Sequence, residues 1–287
     1  MVFAPDFKCC FIGFGLMAGS LAKALKKYYP NCNLSAYAPS SRNTTPAFAD
    51  GTLSYIMNDT TDGVSDADLI ILCGPVSLNE TNLEQIAPLM KSTAIMTDVG
   101  SVKGNIVKKA KMMGISSRFI GGHPMCGSEK TGYAWSSPSL FEDAYYILTP
   151  TEDNDSSDVE ALTGLLAPLK CKLVITSTDR HDKATAAISH VPHLISAALV
   201  ELVMNNDDEE QFMKQIAATG FRDTTRIAAS SPAMWQQICE ANTDNIVDLL
   251  EDYIGILEVL KDELKNGDFN QISELFEKVG PYRLSLK

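Results

Sequence analysis

Short apolar runs punctuate the first two thirds of the chain, with longer amphipathic stretches between them. The runs lie at 8–12, 33–37, 54–57, 69–73, 94–97, 119–122, 145–148 and 172–175. Each is too short for a helix and about right for a buried strand. Between them, apolar positions stepping by three or four predict helices at 16–29, 83–90, 103–113 and 158–169. Such alternation argues an α/β domain with a mostly parallel sheet. After Thr178 the strand pattern stops and only helical periodicity remains, at 180–204, 209–219, 233–240, 244–265 and 269–279. Gly280 and Pro281 read as the stop signal of the last helix. The expected organisation is therefore an α/β domain over 1–177 and an all-helical domain over 178–287. In 244–265 the residues Ile246, Leu250, Tyr253, Leu257, Leu260 and Leu264 form one stripe. Packing within the helical domain and a subunit interface would both bury it.

Composition narrows the classes. A chain of 287 residues buries roughly 75% of its unfolded surface and needs no covalent staple. Its seven cysteines show no C-x-x-C pair and no secretory segment opens the chain, which points to reduced thiols in a cytoplasm. No uninterrupted apolar run approaches the ~18 residues of a membrane span. A net charge of −12 makes nucleic acid a poor partner. An anionic small-molecule substrate would need a local cationic pocket, so the six arginines matter: Arg42, Arg118, Arg180, Arg222, Arg226 and Arg283.

The first run leads into Gly13-Phe14-Gly15-Leu16-Met17-Ala18, a G-x-G-x-x-A phrase at a strand-to-helix junction. Gly13 permits the turn and Gly15 lets a pyrophosphate approach the backbone. The amides of Leu16 and Met17, at the helix N-terminus, face the phosphates. In that position the phrase predicts a Rossmann-type dinucleotide site, with Pro75 after the fourth run as a further cofactor contact. A site that prefers NAD usually carries an acid after the second strand, and Ala38 stands there instead. Ser40, Ser41 and Arg42 follow, a set suited to a 2′-phosphate. NADP is thus expected to be usable or preferred; a solvated helix-start role is the alternative for Arg42.

Candidate chemistry sits in three further phrases. Asp98-Val99-Gly100-Ser101-Val102-Lys103 follows a strand and opens a helix, so Ser101 is either a ligand contact or a helix cap. Gly121-Gly122-His123-Pro124-Met125-Cys126-Gly127-Ser128-Glu129 holds one of only four histidines, the others being His181, His190 and His193. Histidine is the natural proton acceptor near neutral pH, although an isolated one more often just ties down a turn. In the helical half, Ser189-His190-Val191-Pro192-His193 predicts a kink at Pro192. His190 and His193 share a face there, but no carboxylate completes a metal motif, so no metal is expected. Arg222 and Arg226 are four apart, and Asp223 can neutralise one, leaving the other for a carboxylate; a structural ion pair is the alternative.

Taken together, GFGLMAGS (13–20), TDVGSVKG (97–104), FIGGHPMCGSEKTG (119–132), LFEDAYYILTP (140–150), HDKATAAISHVPH (181–193) and GFRDTTRIAASSPAMW (220–235) resemble the prephenate dehydrogenase family, which includes arogenate and cyclohexadienyl dehydrogenases. The resemblance spans nearly the whole chain in order. It implies a Rossmann domain followed by a helical domain that makes a homodimer, and oxidation of prephenate with loss of CO2 on the way to tyrosine. It casts His123 as the partner of the substrate's ring hydroxyl, with Ser101 on the same hydroxyl or on His123. Arg226 would bind a substrate carboxylate, His193 and Ser189 would line the pocket, and Trp235 would support it. Cys126 departs from the family's usual small or apolar residue, either tuning the pocket or standing passively. No appended tyrosine-sensing or chorismate mutase domain is expected.

The alternatives are an arogenate dehydrogenase, a β-hydroxyacid dehydrogenase and a redox-sensing module that binds cofactor without turnover. The second would need a catalytic lysine in the helical half, where Lys183 and Lys214 lack a matching motif.

Overall fold

The computed structural model describes residues 3–128 and 130–286. Glu129, in the run that contains His123, lies outside the described residues. Eight strands form one sheet: β1 (Lys8–Ile12), β2 (Asn33–Tyr37), β3 (Tyr55–Ile56), β4 (Leu69–Leu72), β5 (Ile95–Asp98), β6 (Phe119–Pro124), β7 (Tyr145–Thr149) and β8 (Lys172–Ile175). Their order is β3-β2-β1-β4-β5-β6-β7-β8, parallel throughout except for the antiparallel β6–β7 pair. The first six reproduce the doubly wound Rossmann order, whose ligand crevice opens where the order reverses, between β1 and β4.

The apolar runs are continuous because the sheet is covered on both faces. Within β1, Cys9 and Phe11 join one core while Cys10 and Ile12 join the other. In β4, Leu69 and Ile71 separate from Ile70 and Leu72 in the same way, as the two-residue period of a strand requires.

The helices of this part are α1 (Leu16–Tyr28), α2 (Ser41–Ala49), α3 (Val76–Ile86), α4 (Gly104–Met112) and α5 (Ser156–Leu166). After β8 the chain is helical: α6 (Thr178–Thr185), α7 (Val191–Asn206), α8 (Phe212–Ile216), α9 (Thr219–Thr225), α10 (Pro232–Ala241), α11 (Thr243–Asn266) and α12 (Phe269–Ser285). The chain forms two compact units, Met1–Asn242 and Thr243–Lys287. The first holds the sheet and α1–α10. The second is the α11–α12 pair, which packs on itself and leaves Ile254, Leu257, Val259 and Phe276 exposed.

Four expectations need correction. Helix α2 has no counterpart in the apolar pattern, and α3 begins seven residues before the expected 83. Both are polar over those residues, and tertiary contacts hold them: Thr44, Ala47, Asn79 and Asn82 are buried. The last helix does not stop at Gly280. Gly280 is not among the glycines with positive φ, so no left-handed cap forms, and the helix continues past Pro281 to Ser285. Finally, the stretch Thr178–Asn206 is long and apolar enough on average to cross a membrane, although no single run is. Within it, Ser196 donates to the Thr224 carbonyl at 3.1 Å. Just before Pro192, where a kink is expected, a π-helical turn, Ala186–His190, is inserted between α6 and α7.

Candidate active site

A cleft of about 590 Å³ opens at the carboxyl ends of β1, β4, β5 and β6. Gly15–Ala18 line it after β1, Cys73–Val76 after β4 and Val99–Ser101 after β5. His123 and Pro124 line it from β6, the loop carrying Cys126 and Lys130 follows, and α10 closes one side with Met234 and Gln237. The start of α1 with Gly15, Pro75, Ser101 and His123 thus line one cleft.

The loop is shaped for a phosphate. Gly13 has φ +92°, and a Cβ there would lie 2.7 Å from the Gly74 nitrogen, so only glycine lets the turn pass against the β4 loop. At Gly15 nothing lies within 4 Å of a Cβ position, leaving open backbone at the start of α1. No side chain caps that helix and no acid stands in its first turn, so its amides and dipole are available to an anion. These residues fit a dinucleotide. Pro75 begins α3, where Asn79 Oδ1 accepts the Gly74 N–H at 2.9 Å and fixes the loop across from Gly13. Ser40 caps α2 by accepting the Arg42 N–H at 3.3 Å, and Ser40, Ser41 and Arg42 are all exposed.

Beneath the cleft lies a buried polar network that the sequence did not reveal. His123 Nδ1 is 2.8 Å from His181 Nε2, and His181 Nδ1 is 2.7 Å from Asp182 Oδ1. Asp182 also receives the N–H groups at the start of α4: Lys103 N on Oδ1 at 2.9 Å and Gly104 N on Oδ2 at 2.7 Å. Asp182, not Ser101, therefore caps that helix; Ser101 lies three residues outside it, half-buried on the cleft wall. A second carboxylate, Asp98, accepts the Gly122 N–H at 3.1 Å and the Gly100 N–H at 2.9 Å, and it pairs with Lys103 Nζ. Lys103 Nζ also donates to the Gly122 carbonyl at 2.9 Å. Gly122 is indispensable to this packing, since a Cβ there would sit 2.5 Å from the Asp98 carbonyl.

Electrostatics follow from burial. Desolvation, with the Lys103 charge second, holds His123 well below the usual histidine range. It is therefore neutral at pH 7 with one bare ring nitrogen. Burial also brings His190 down to about 4 and pulls Lys103 down, against the attraction of Asp98. Cys126 lines the cleft, and burial pushes its thiol up to about 11, which makes it a poor nucleophile.

The remaining candidates stand further out, and none of them lines the cleft directly. His193 stacks on Trp235 with centroids 3.9 Å apart, and its Nδ1–H donates to the Ser189 carbonyl at 2.8 Å. His190 meets the same indole edge-on at 6.0 Å. Trp235 follows Met234, which does line the cleft. Arg226 is exposed and makes no ion pair among the described residues; Asp223 neutralises neither arginine there. The helical spacing of Arg222 and Arg226 is broken, because α9 ends at Thr225 and Arg226 opens a 3₁₀ turn.

A doubly wound sheet, a glycine loop at its switch point and a histidine facing the same crevice define a dinucleotide-dependent oxidoreductase. Residues 21–175 match the family model for the prephenate dehydrogenase nucleotide-binding domain, and residues 177–278 match that for the prephenate dehydrogenase dimerization domain. The chain belongs to the prephenate dehydrogenase family. It is 36% identical over 274 residues to a prephenate dehydrogenase of Bacillus subtilis, covering 94% of this chain and 74% of that one. The crystal structure of Synechocystis arogenate dehydrogenase superposes with a TM-score of 0.86 at 30% identity, covering 96% of this chain and 99% of that one. That of A. aeolicus prephenate dehydrogenase, in complex with hydroxyphenyl propionate and NAD+, superposes with a TM-score of 0.92 at 27% identity over 98% of each chain.

Proposed function

We propose that this chain oxidises prephenate to 4-hydroxyphenylpyruvate and CO2 with NAD(P)+ as acceptor, a step towards tyrosine. The observation that carries the reading is His123, neutral and half-buried, on the wall of the same cleft as Ser101 and the glycine loop. A bound nicotinamide, its pyrophosphate held by Gly13, Gly15, Leu16 and Met17, would supply the hydride acceptor. His123 takes the proton of the substrate's ring hydroxyl as that carbon is oxidised to a carbonyl. Ser101 orients the hydroxyl from the opposite loop. The ring carboxylate then leaves as CO2, its bonding electrons flow into the ring, and the carbonyl oxygen regains a proton from His123 to give a phenol. A placed base of this kind contributes ~100- to 10,000-fold.

Arg226, exposed and without an ion pair among the described residues, is assigned a substrate carboxylate. His193 and Ser189 are assigned the helical side of the pocket, and Trp235 supports His193 by stacking. With Ala38 in the acid's place, Ser40, Ser41 and Arg42 are assigned to a 2′-phosphate, so NADP is used as well as or ahead of NAD. The exposed apolar residues Ile188, Leu202 and Met204, and separately those of α11 and α12, support a homodimer built by the helical part. Seven free thiols suit a reducing cytoplasm.

The likeness to the Synechocystis arogenate dehydrogenase makes arogenate the second substrate to test. Steady-state rates with both substrates decide. Higher kcat/KM for prephenate supports the proposal, and turnover of arogenate alone would replace it.

A further inference from the structure

We propose that His181 and Asp182 are positioning residues that select which nitrogen of His123 faces the substrate as proton acceptor. The inference rests on the assignment of His123 as the base. Asp182 Oδ1 accepts Lys103 N–H and Oδ2 accepts Gly104 N–H, so each carboxylate oxygen already serves a backbone donor. Asp182 therefore acts as acceptor towards His181 too, and the proton between them belongs to His181 Nδ1. In this arrangement that is the one proton His181 carries, and its Nε2 is bare. The 2.8 Å contact to His123 has to be made by a proton on His123 Nδ1. His123 Nε2 is left as the lone pair, the tautomer a general base needs.

Three features make the arrangement specific. The chain of contacts is buried: His181 is 1% exposed and Asp182 4%. Asn242 braces it from α10's end by donating from Nδ2 to the Asp182 carbonyl at 2.8 Å and to His190 Nδ1 at 3.1 Å. And the same carboxylate that orients His181 anchors the first amides of α4, directly after Ser101-Val102. One side chain thus sets the tautomer of His123 and the seat of the loop that carries Ser101, the two groups assigned to one substrate hydroxyl. When His123 becomes an imidazolium, its Nδ1–H remains donated to His181, and the Asp182 carboxylate behind His181 stabilises the new positive charge. The other charged or titratable groups around the network are Lys103, Asp98 and His190.

The test combines a spectroscopic readout with a kinetic one. Long-range ¹H–¹⁵N spectra of histidine-labelled full-length protein, assigned with His123→Asn and His190→Gln, should show Nδ1 protonated in both His123 and His181. A His123 protonated on Nε2 would overturn the proposal. In Asp182→Asn the amide can still accept a backbone N–H but presents its NH2 to His181, which reverses both tautomers. There kcat should fall ~100-fold or more, with cofactor affinity unchanged. His181→Gln retains an acceptor for His123 Nδ1–H and should keep at least ten times the kcat of His181→Leu. Equal loss in these two variants, or an unchanged kcat in Asp182→Asn, would reduce the pair to packing. The tautomers are read without turnover. Correct tautomers in a protein inert to prephenate would refute the proposed substrate and not this inference.

Discussion

Replacing Lys103 by methionine tests the buried pair that joins the Ser101 loop to the strand of His123. The Lys103 and Asp98 side chains are 0% and 1% exposed, and Lys103 Nζ also donates to the Gly122 carbonyl at 2.9 Å. Methionine fills most of the space but leaves Asp98 with only the Gly100 and Gly122 N–H groups to offset a full charge out of contact with water. Removing one partner of such a pair costs about 3–5 kcal/mol. For a unit of this size, at roughly 2–4 °C per kcal/mol, calorimetry should show Tm lower by about 6–20 °C. Adding Asp98→Asn removes the orphaned charge and should restore more than half of the loss, since the amide oxygen still accepts a backbone N–H. There is a second signature. The Lys103 charge helps to hold His123 down, so in Lys103→Met, assayed well below its Tm, the acidic limb of kcat/KM should move up towards pH 6.5. A loss below about 1 kcal/mol, or a double variant no more stable than the single, would refute this account of the pair.

Three further outcomes are expected. His190 titrates near 4 in the fold against 6.5 unfolded, so between those values the unfolded state binds more protons. Stability is complete above pH 6.5 and falls with acid, by about 2 kcal/mol from pH 7 to pH 5, with depressed His123 adding in the same direction. Urea titrations at both pH values should show a shallower loss in His190→Gln; an identical slope would mean His190 is not the group responsible. Arg226→Ala should raise KM for prephenate at least tenfold with little change in cofactor affinity, and an unaltered KM would remove Arg226 from the substrate site. Arg42→Ala should raise KM for NADP and leave that for NAD within about twofold; equal effects on both would show that Arg42 does not read a 2′-phosphate.

The sheet could be anticipated because its strands are buried on both faces, so runs such as Leu69–Leu72 are apolar at every position. The glycine loop was equally plain, since its chemistry is local in sequence. Helix α2 was not, because Ser-Arg-Asn-Thr-Thr-Pro carries no apolar period; it is held by contacts such as that of Asn43 Oδ1, which accepts the Tyr133 N–H at 3.0 Å. The network behind His123 failed to show for a related reason. His181 lies 58 residues away on another element, and no periodicity says that the end of β6 meets the start of α6. Nothing local in the sequence marks Lys103, at the expected start of a helix, as fully buried. The available hints were the His181-Asp182 dipeptide just after the capping Ser177 and an acid and a lysine five apart around Gly100 and Ser101. Neither outweighs the ordinary surface reading without the fold.

The central claim is that His123 removes a proton from the substrate's ring hydroxyl. It is tested most directly by following reduced nicotinamide formation from prephenate in the wild-type chain and in His123→Asn, with cofactor affinity measured by fluorescence titration on both. The account predicts turnover by the wild type, a kcat at least ~100-fold lower in the variant and the same cofactor affinity in each. A variant that keeps its kcat would contradict it.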